Sequence, residues 1–167
     1  MVTVRQIREA DAAAFLELCH RLDEETRFMM LEPGERDTSI EEQRRRIRHT
    51  LLRDNQTILV AEAGGELVGY AAAHGGDFRR NRHCAQVVAG VLRAFCGRGV
   101  GTSLFSELED WAKRNGIRRL ELTVMAHNDR ALRLYRKMGY EIEGTKRDSL
   151  LVDGSYVDEY YMAKLLA

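Results

Sequence analysis

The stretch Val88-Ala89-Gly90-Val91-Leu92-Arg93-Ala94-Phe95-Cys96-Gly97-Arg98-Gly99-Val100-Gly101-Thr102-Ser103-Leu104 passes from an apolar run, through three alternating glycines, into a helical repeat. Ala85–Leu92 reads as a strand that stops at Arg93. From Thr102 onward Leu104, Phe105, Leu108, Trp111 and Ala112 recur on one helical face. A glycine-rich turn between strand and helix aims several backbone N–H groups, and the positive end of a helix dipole, at one point. Glycine also lets a pyrophosphate approach the main chain with no Cβ in the way. An anion cradle is therefore expected at residues 96–102. Neither familiar phosphate loop fits the spacing: Thr102 stands where the dinucleotide fingerprint needs its third glycine, and no Gly-Lys-Ser/Thr is present. Taken alone, the turn is also compatible with a flexible connector and a helix cap.

The rest of the chain narrows the possibilities. Its 167 residues are expected to form one domain, 1–167, large enough for a full core. Twenty-six basic side chains balance 26 acidic ones, so no global field draws the chain to nucleic acid or an anionic membrane. Any anion site must be local. Three unpatterned cysteines (Cys19, Cys84, Cys96) suggest reduced thiols in a cytoplasmic protein, and neither a signal-peptide pattern nor a spanning apolar run is apparent. Cys19-His20 and His83-Cys84 are adjacent pairs without metal-ligand spacing, so no metal is expected.

Local patterns give the element order. Val2–Ile7 alternates as a strand, and Asp11 is expected to cap a helix carrying Ala14, Phe15, Leu18 and Leu22. After the irregular Thr26–Asp37, Thr38 or Ser39 opens a second helix through a capping box with Glu41 or Glu42. Thr57–Ala63 and Glu66–His74 form a hairpin about Gly64-Gly65, and Cys84–Leu92 follows a loop. The helix after the cradle ends at Asn115-Gly116, and Leu120–Val124 is a strand. Asn128 caps a helix ended by Gly139. Tyr140–Leu151 and Tyr156–Leu165 close the chain as strands joined at Asp153-Gly154. The order β-α-α-β-β-β-α-β-α-β-β predicts an α/β (α+β) sandwich, with a mixed, mostly antiparallel six- to seven-stranded sheet and about four helices.

Two segments within this order, Val91–Thr102 and Asn128-Asp129-Arg130-Ala131-Leu132-Arg133-Leu134-Tyr135-Arg136-Lys137-Met138-Gly139-Tyr140, resemble the GNAT superfamily of acyl-CoA-dependent N-acyltransferases. The tail segments Glu141–Thr145 and Asp153–Ala163 resemble the branch that includes small bacterial L-amino-acid N-acetyltransferases. The resemblance implies acetyl-CoA as co-substrate and a small primary amine, an amino acid or similar, as acceptor. A protein N-terminus or lysine, or a coenzyme-binding module with little activity, are the alternatives. One departure from the superfamily's pattern is Cys96, where Gln or Arg usually opens the pyrophosphate motif; Arg98 could supply the missing charge.

The resemblance also implies residue roles. Cys96, Gly97, Arg98, Gly99, Val100, Gly101 and Thr102 would hold the diphosphate. Val91, Leu92 and Arg93 would meet the pantetheine and thioester where the fourth and fifth strands splay, with a backbone N–H at Val91 or Leu92 polarising the carbonyl and a bulge at Gly90. Asn128 and Ala131 would contact the pantetheine. Tyr135, two turns beyond Asn128, would protonate the departing thiolate; a phenol of pKa ~10 keeps its proton at neutral pH. Glu121 and His74 are candidate bases. Phe28–Leu31 would line an apolar acceptor pocket, and Arg27 or Arg79 could take a carboxylate. The apolar run Tyr156–Leu165 suits a homodimer.

Overall fold

A computed structural model describes residues 1–167. The strands are β1 (Val2–Gln6), β2 (Gln56–Ala63), β3 (Glu66–Gly75), β4 (Cys84–Val91), β5 (Arg119–Met125), β6 (Glu141–Val152) and β7 (Ser155–Leu165). The helices are α1 (Ala12–Glu25), α2 (Ile40–Leu51), α3 (Val100–Arg114) and α4 (Asp129–Lys137). The expected order is found, and the seven strands form one sheet, β1-β2-β3-β4-β5-β7-β6. Every pairing is antiparallel except β4 with β5.

Side-chain alternation assigns the two faces of the sheet. Tyr70 meets Phe15 of α1 edge-on at 5.2 Å, while the neighbouring Gly69 approaches Leu104 of α3. One face therefore carries α1 and α2, the other α3 and α4. The core runs through both layers, with Leu18, Leu22 and Ile47 buried on the α1 face and Leu104, Leu108 and Leu120 on the α3 face.

Most local stops follow their sequence signals. The Ser39 hydroxyl accepts the Glu42 N–H at 3.1 Å, opening α2. Ile117 N–H returns to the Ala112 carbonyl at 3.0 Å past Gly116, and Tyr140 N–H to that of Tyr135 at 2.9 Å past Gly139. Asp11 behaves differently. Its carboxylate does not cap α1 but accepts the Arg8 N–H at 2.7 Å and both arms of Arg5 at 2.8 and 2.9 Å. A 3-10 turn, Glu9–Asp11, precedes α1, so the helical segment starts one turn earlier.

The arrangement that positions the site lies in the centre of the sheet. β4 and β5 pair only at Cys84–Gln86 with Arg119–Glu121. Beyond Gln86 and Glu121 they part, while β4 stays on β3 as far as Val91 and β5 stays on β7 as far as Met125. No bulge occurs at Gly90, whose register with β3 is unbroken. Glycine is there because α1 comes close: a Cβ at residue 90 would stand 2.9 Å from Leu22 Cδ1. The shape of this sandwich rests on its packed layers. Leu108→Ala, a truncation at a fully buried α3 position, should cost about 3 kcal/mol in urea unfolding. A loss below about 1 kcal/mol would mean that α3 is not fixed by its core face.

Candidate active site

The gap between β4 and β5 leads to the start of α3. The Gly97 and Gly99 backbones are left-handed, with φ +75° and +80°, which a side chain would resist. As a result the N–H groups of Gly97, Arg98, Gly99, Val100, Gly101 and Thr102 find no acceptor in the protein, main chain or side chain. Cys96 is not part of this set, because its N–H closes a 3-10 turn on the Arg93 carbonyl at 3.1 Å. The run of free N–H groups is therefore 97–102, one residue shorter than the stretch 96–102 expected for an anion cradle. Gly101 has a packing role besides: a Cβ there would lie 2.8 Å from Leu134 Cδ2, so α3 and α4 meet closely at that point.

Two cations border this run. Arg98 lies over the Phe95 ring at 5.5 Å, and Lys137 at the end of α4 donates to Thr102 Oγ1 at 3.3 Å. Lys137 escaped sequence reasoning because its neighbour belongs to another helix; only the Gly101–Leu134 approach brings it there. The Cys96 thiol turns away from the loop, toward the carbonyls of Val91 and Leu92 at 3.6 and 3.5 Å.

Strand parity separates Val91 from Leu92. Leu92 donates its N–H to the Val68 carbonyl at 2.9 Å, and its side chain is buried. Val91 lies opposite Gly69, one step out of phase, so its N–H faces away from β3 and into the gap. Arg93 is held by Glu25 at the end of α1: its N–H donates to Glu25 Oε1 at 2.8 Å and its guanidinium to the Glu25 carbonyl.

Tyr135 is half-buried on α4, its ring 5.4 Å from Phe105 and 6.0 Å from Tyr140. Burial penalises the phenolate and pushes its pKa up to about 12. Asn128 Oδ1 accepts the Ala131 N–H at 3.3 Å, which fixes the first turn of the same helix. The opposite end is tied down by Lys164 of β7, which donates to the Met138 carbonyl at 2.7 Å and to Glu109 of α3 at 2.8 Å.

The α1 face bears the remaining candidates. Phe28 and Met30 are exposed and Met29 and Leu31 half-buried; Phe28 tilts against His127 at 5.1 Å. Arg27 pairs with Asp153 at the β6–β7 turn. Arg36 grips the buried Asp23 with two bonds of 2.7 and 2.9 Å, an ion pair that sequence reasoning missed. Glu121 accepts from Arg119 at 2.8 Å, and Arg119 also holds Glu143. His74 sits apart, in a polar hollow under α2 with Arg45, Arg46 and His49, and burial lowers its pKa. Neither Glu121 nor His74 lies at the wide end of the gap. Arg79 takes part in no ion pair.

Comparison with known proteins gives a consistent set of relatives. A sequence model of the acetyltransferase (GNAT) family matches residues 16–140. An L-amino acid N-acetyltransferase, AaaT of Escherichia coli (strain K12), is 36% identical over 111 residues, covering 64% of this chain and 67% of that protein. An N-alpha-acetyltransferase, RimI of Mycobacterium tuberculosis, is 39% identical over 108 residues, covering 62% of this chain and 63% of its own length. The crystal structure of a GNAT-family acetyltransferase from Streptococcus pneumoniae superposes with a TM-score of 0.96 at 29% identity over the whole of both chains.

Burial of Tyr135 makes a direct prediction. The phenolate absorbance lost in Tyr135→Phe should titrate near pH 12, well above the ~10 of free tyrosine. A midpoint at or below ~10 would mean that the hydroxyl is solvated or lies beside a cation.

Proposed function

This chain belongs to the acetyltransferase (GNAT) family, and on that premise we propose that it moves an acetyl group from acetyl-CoA to the primary amine of a small molecule. One observation carries the reading: the gap between β4 and β5 opens onto six successive N–H groups that have no acceptor in the protein. A diphosphate is an ordinary partner for such groups at a helix start, and Arg98 and Lys137 add local positive charge to a chain with no net charge. The pantetheine arm, an extended chain with two amides, suits the facing edges of the parted strands as an added strand would.

The residues then divide the chemistry. Val91 N–H hydrogen-bonds the thioester carbonyl and stabilises the oxyanion as the amine attacks. The carbon–nitrogen bond forms, the carbon–sulfur bond breaks, and Tyr135 gives its proton to the departing thiolate. A phenol with its pKa pushed up to about 12 is protonated throughout the physiological range, as this step needs. Neither a metal nor a covalent acyl-enzyme enters the scheme.

A small acceptor is favoured by the rim on the α1 face. There Arg27–Asp153 ties the segment after α1 to the β6–β7 turn, and Phe28 leans on His127. These two links join the flanks of the approach, which suits an amine on a short stem better than the side chain of a folded protein. Partly exposed Phe28 and Met30 favour an apolar group beside that amine. The reading extends to a cytoplasmic enzyme with its three cysteines free, and to a homodimer through β7, where Tyr161 and Leu165 are exposed on one face.

Thiol release from acetyl-CoA, measured against amino acids, polyamines, aminoglycosides and short peptides, tests the reading. Tyr135→Phe should lower kcat about 100-fold with the best acceptor while the Kd for coenzyme A stays within about twofold. A wild-type protein silent across the panel, or a variant with full turnover, contradicts it. Preference for peptide N-termini over free amino acids would redirect the substrate class and leave the chemistry in place.

A further inference from the structure

Extending the β4–β5 register past the point where the strands part puts Gly90 level with Met125, and Met125 pairs with Glu159 of β7. Tyr70 lies opposite Gly90 on the other side, and Lys146 opposite Glu159. The row Tyr70, Gly90, Met125, Glu159, Lys146 thus crosses the α1 face at the wide end of the gap, next to the free N–H of Val91. Two buried carboxylates belong to this region, Asp23 beside the row on α1 and Glu159 within it. Asp23 is fully engaged by the two bonds from Arg36.

Glu159 is in a different position. The residue is 4% exposed, yet only Oε1 has partners: the Ser149 hydroxyl at 2.9 Å and, more loosely, Lys146 Nζ at 3.7 Å. Oε2 accepts no hydrogen bond and is not sealed from solvent. The backbone around it is specialised. Residues 147–149 of β6 bulge just beside it, opposite Asp158; Asp148 adopts a positive φ of 50°, and its N–H donates to Asp158 Oδ1 at 2.8 Å. That bulge brings Ser149 onto the carboxylate. The Ala126 N–H donates to the Asp158 carbonyl at 2.9 Å, which fixes the end of β5, and with it Glu159, beside the loop that leads through His127 into α4.

We propose that Glu159 receives the acceptor's ammonium group and takes its proton. The inference rests on the transferase reading and supplies the base that neither Glu121 nor His74 provides. A carboxylate with one oxygen held and one free can accept a hydrogen bond from a cationic amine, and partial burial strengthens that attraction. The proton balance closes. One proton passes from R–NH3+ to Glu159 and on to water, and the neutral amine attacks the thioester carbon. The second amine proton is lost as the amide forms and replaces the one that Tyr135 gives to sulfur. The charged and titratable groups around Glu159 are Lys146 on β6, Asp148 and Asp158 at the bulge, His127 after β5, and Asp23–Arg36 across the gap. Lys146 is half shared with the Tyr161 ring at 5.6 Å, which leaves the carboxylate incompletely neutralised.

Glu159→Gln keeps an acceptor oxygen for Ser149 and removes the charge. With the best acceptor of the panel, kcat/KM at neutral pH should fall about 100-fold. The deficit should shrink toward tenfold or less once the pH exceeds the acceptor's own pKa, while coenzyme A affinity and melting temperature hold. Glu159→Asp, which retains a carboxylate, should keep the wild-type shape of the pH profile at reduced rate. A folded Glu159→Gln protein with wild-type kcat/KM, or one whose deficit is the same at every pH, would overturn the assignment and leave the transferase intact. A wild type without transferase activity would overturn both.

Discussion

Everything functional in this fold depends on two parallel strands parting inside a sheet. After Gln86 and Glu121 the facing edges of β4 and β5 have no strand to bond to, an arrangement that leaves main-chain groups without partners. Neither strand is free to close the gap. β4 is held on its other side by β3, through to the Leu92–Val68 hydrogen bond, and its end is anchored by Arg93 on Glu25. β5 is held by β7 over all seven of its residues. On the proposed reading, an extended ligand that bonds to both edges would complete the sheet, and the site would work mainly through backbone atoms.

The helices translate that gap into chemistry. α3 supplies a dipole and free N–H groups at one end of it. α4, fixed at its start by Asn128 and at its end by Lys164, supplies a phenol in an apolar setting of Phe105 and Tyr140. Lys164 joins β7, α3 and α4 through one ammonium, so the placement of Tyr135 is coupled to the strand that also bears Glu159. Tyr140 is buried beside Tyr135 with no partner for its hydroxyl, and burial raises the cost of ionising each phenol.

What could be read from the sequence was what local chemistry encodes. Gly99, Gly116 and Gly139 mark helix boundaries because only a left-handed backbone makes those turns, and Ser39 and Asn128 announce helix starts by their side chains. The features that could not be read depend on parity or on distant partners. Whether Val91 or Leu92 turns its N–H to the gap follows from the phase of β4 on β3, which a strand pattern does not reveal. Gly90 suggested a bulge, but it is small to admit Leu22 from a helix some seventy residues earlier. Asp11 had the composition of a cap and was taken by Arg5 instead. Glu159 reads as a surface charge within an apolar terminal strand until pairing with Met125 and the bulge of β6 bring it to the gap.

The most direct test of the account is to follow the backbone amide resonances of Gly97, Gly99, Gly101 and Val91 by NMR while acetyl-CoA is added. The account predicts large shifts at all four, and slowed amide exchange at each as a bound acceptor takes up its N–H. Saturable binding with these four signals unmoved, and shifts elsewhere on the sheet, would contradict it.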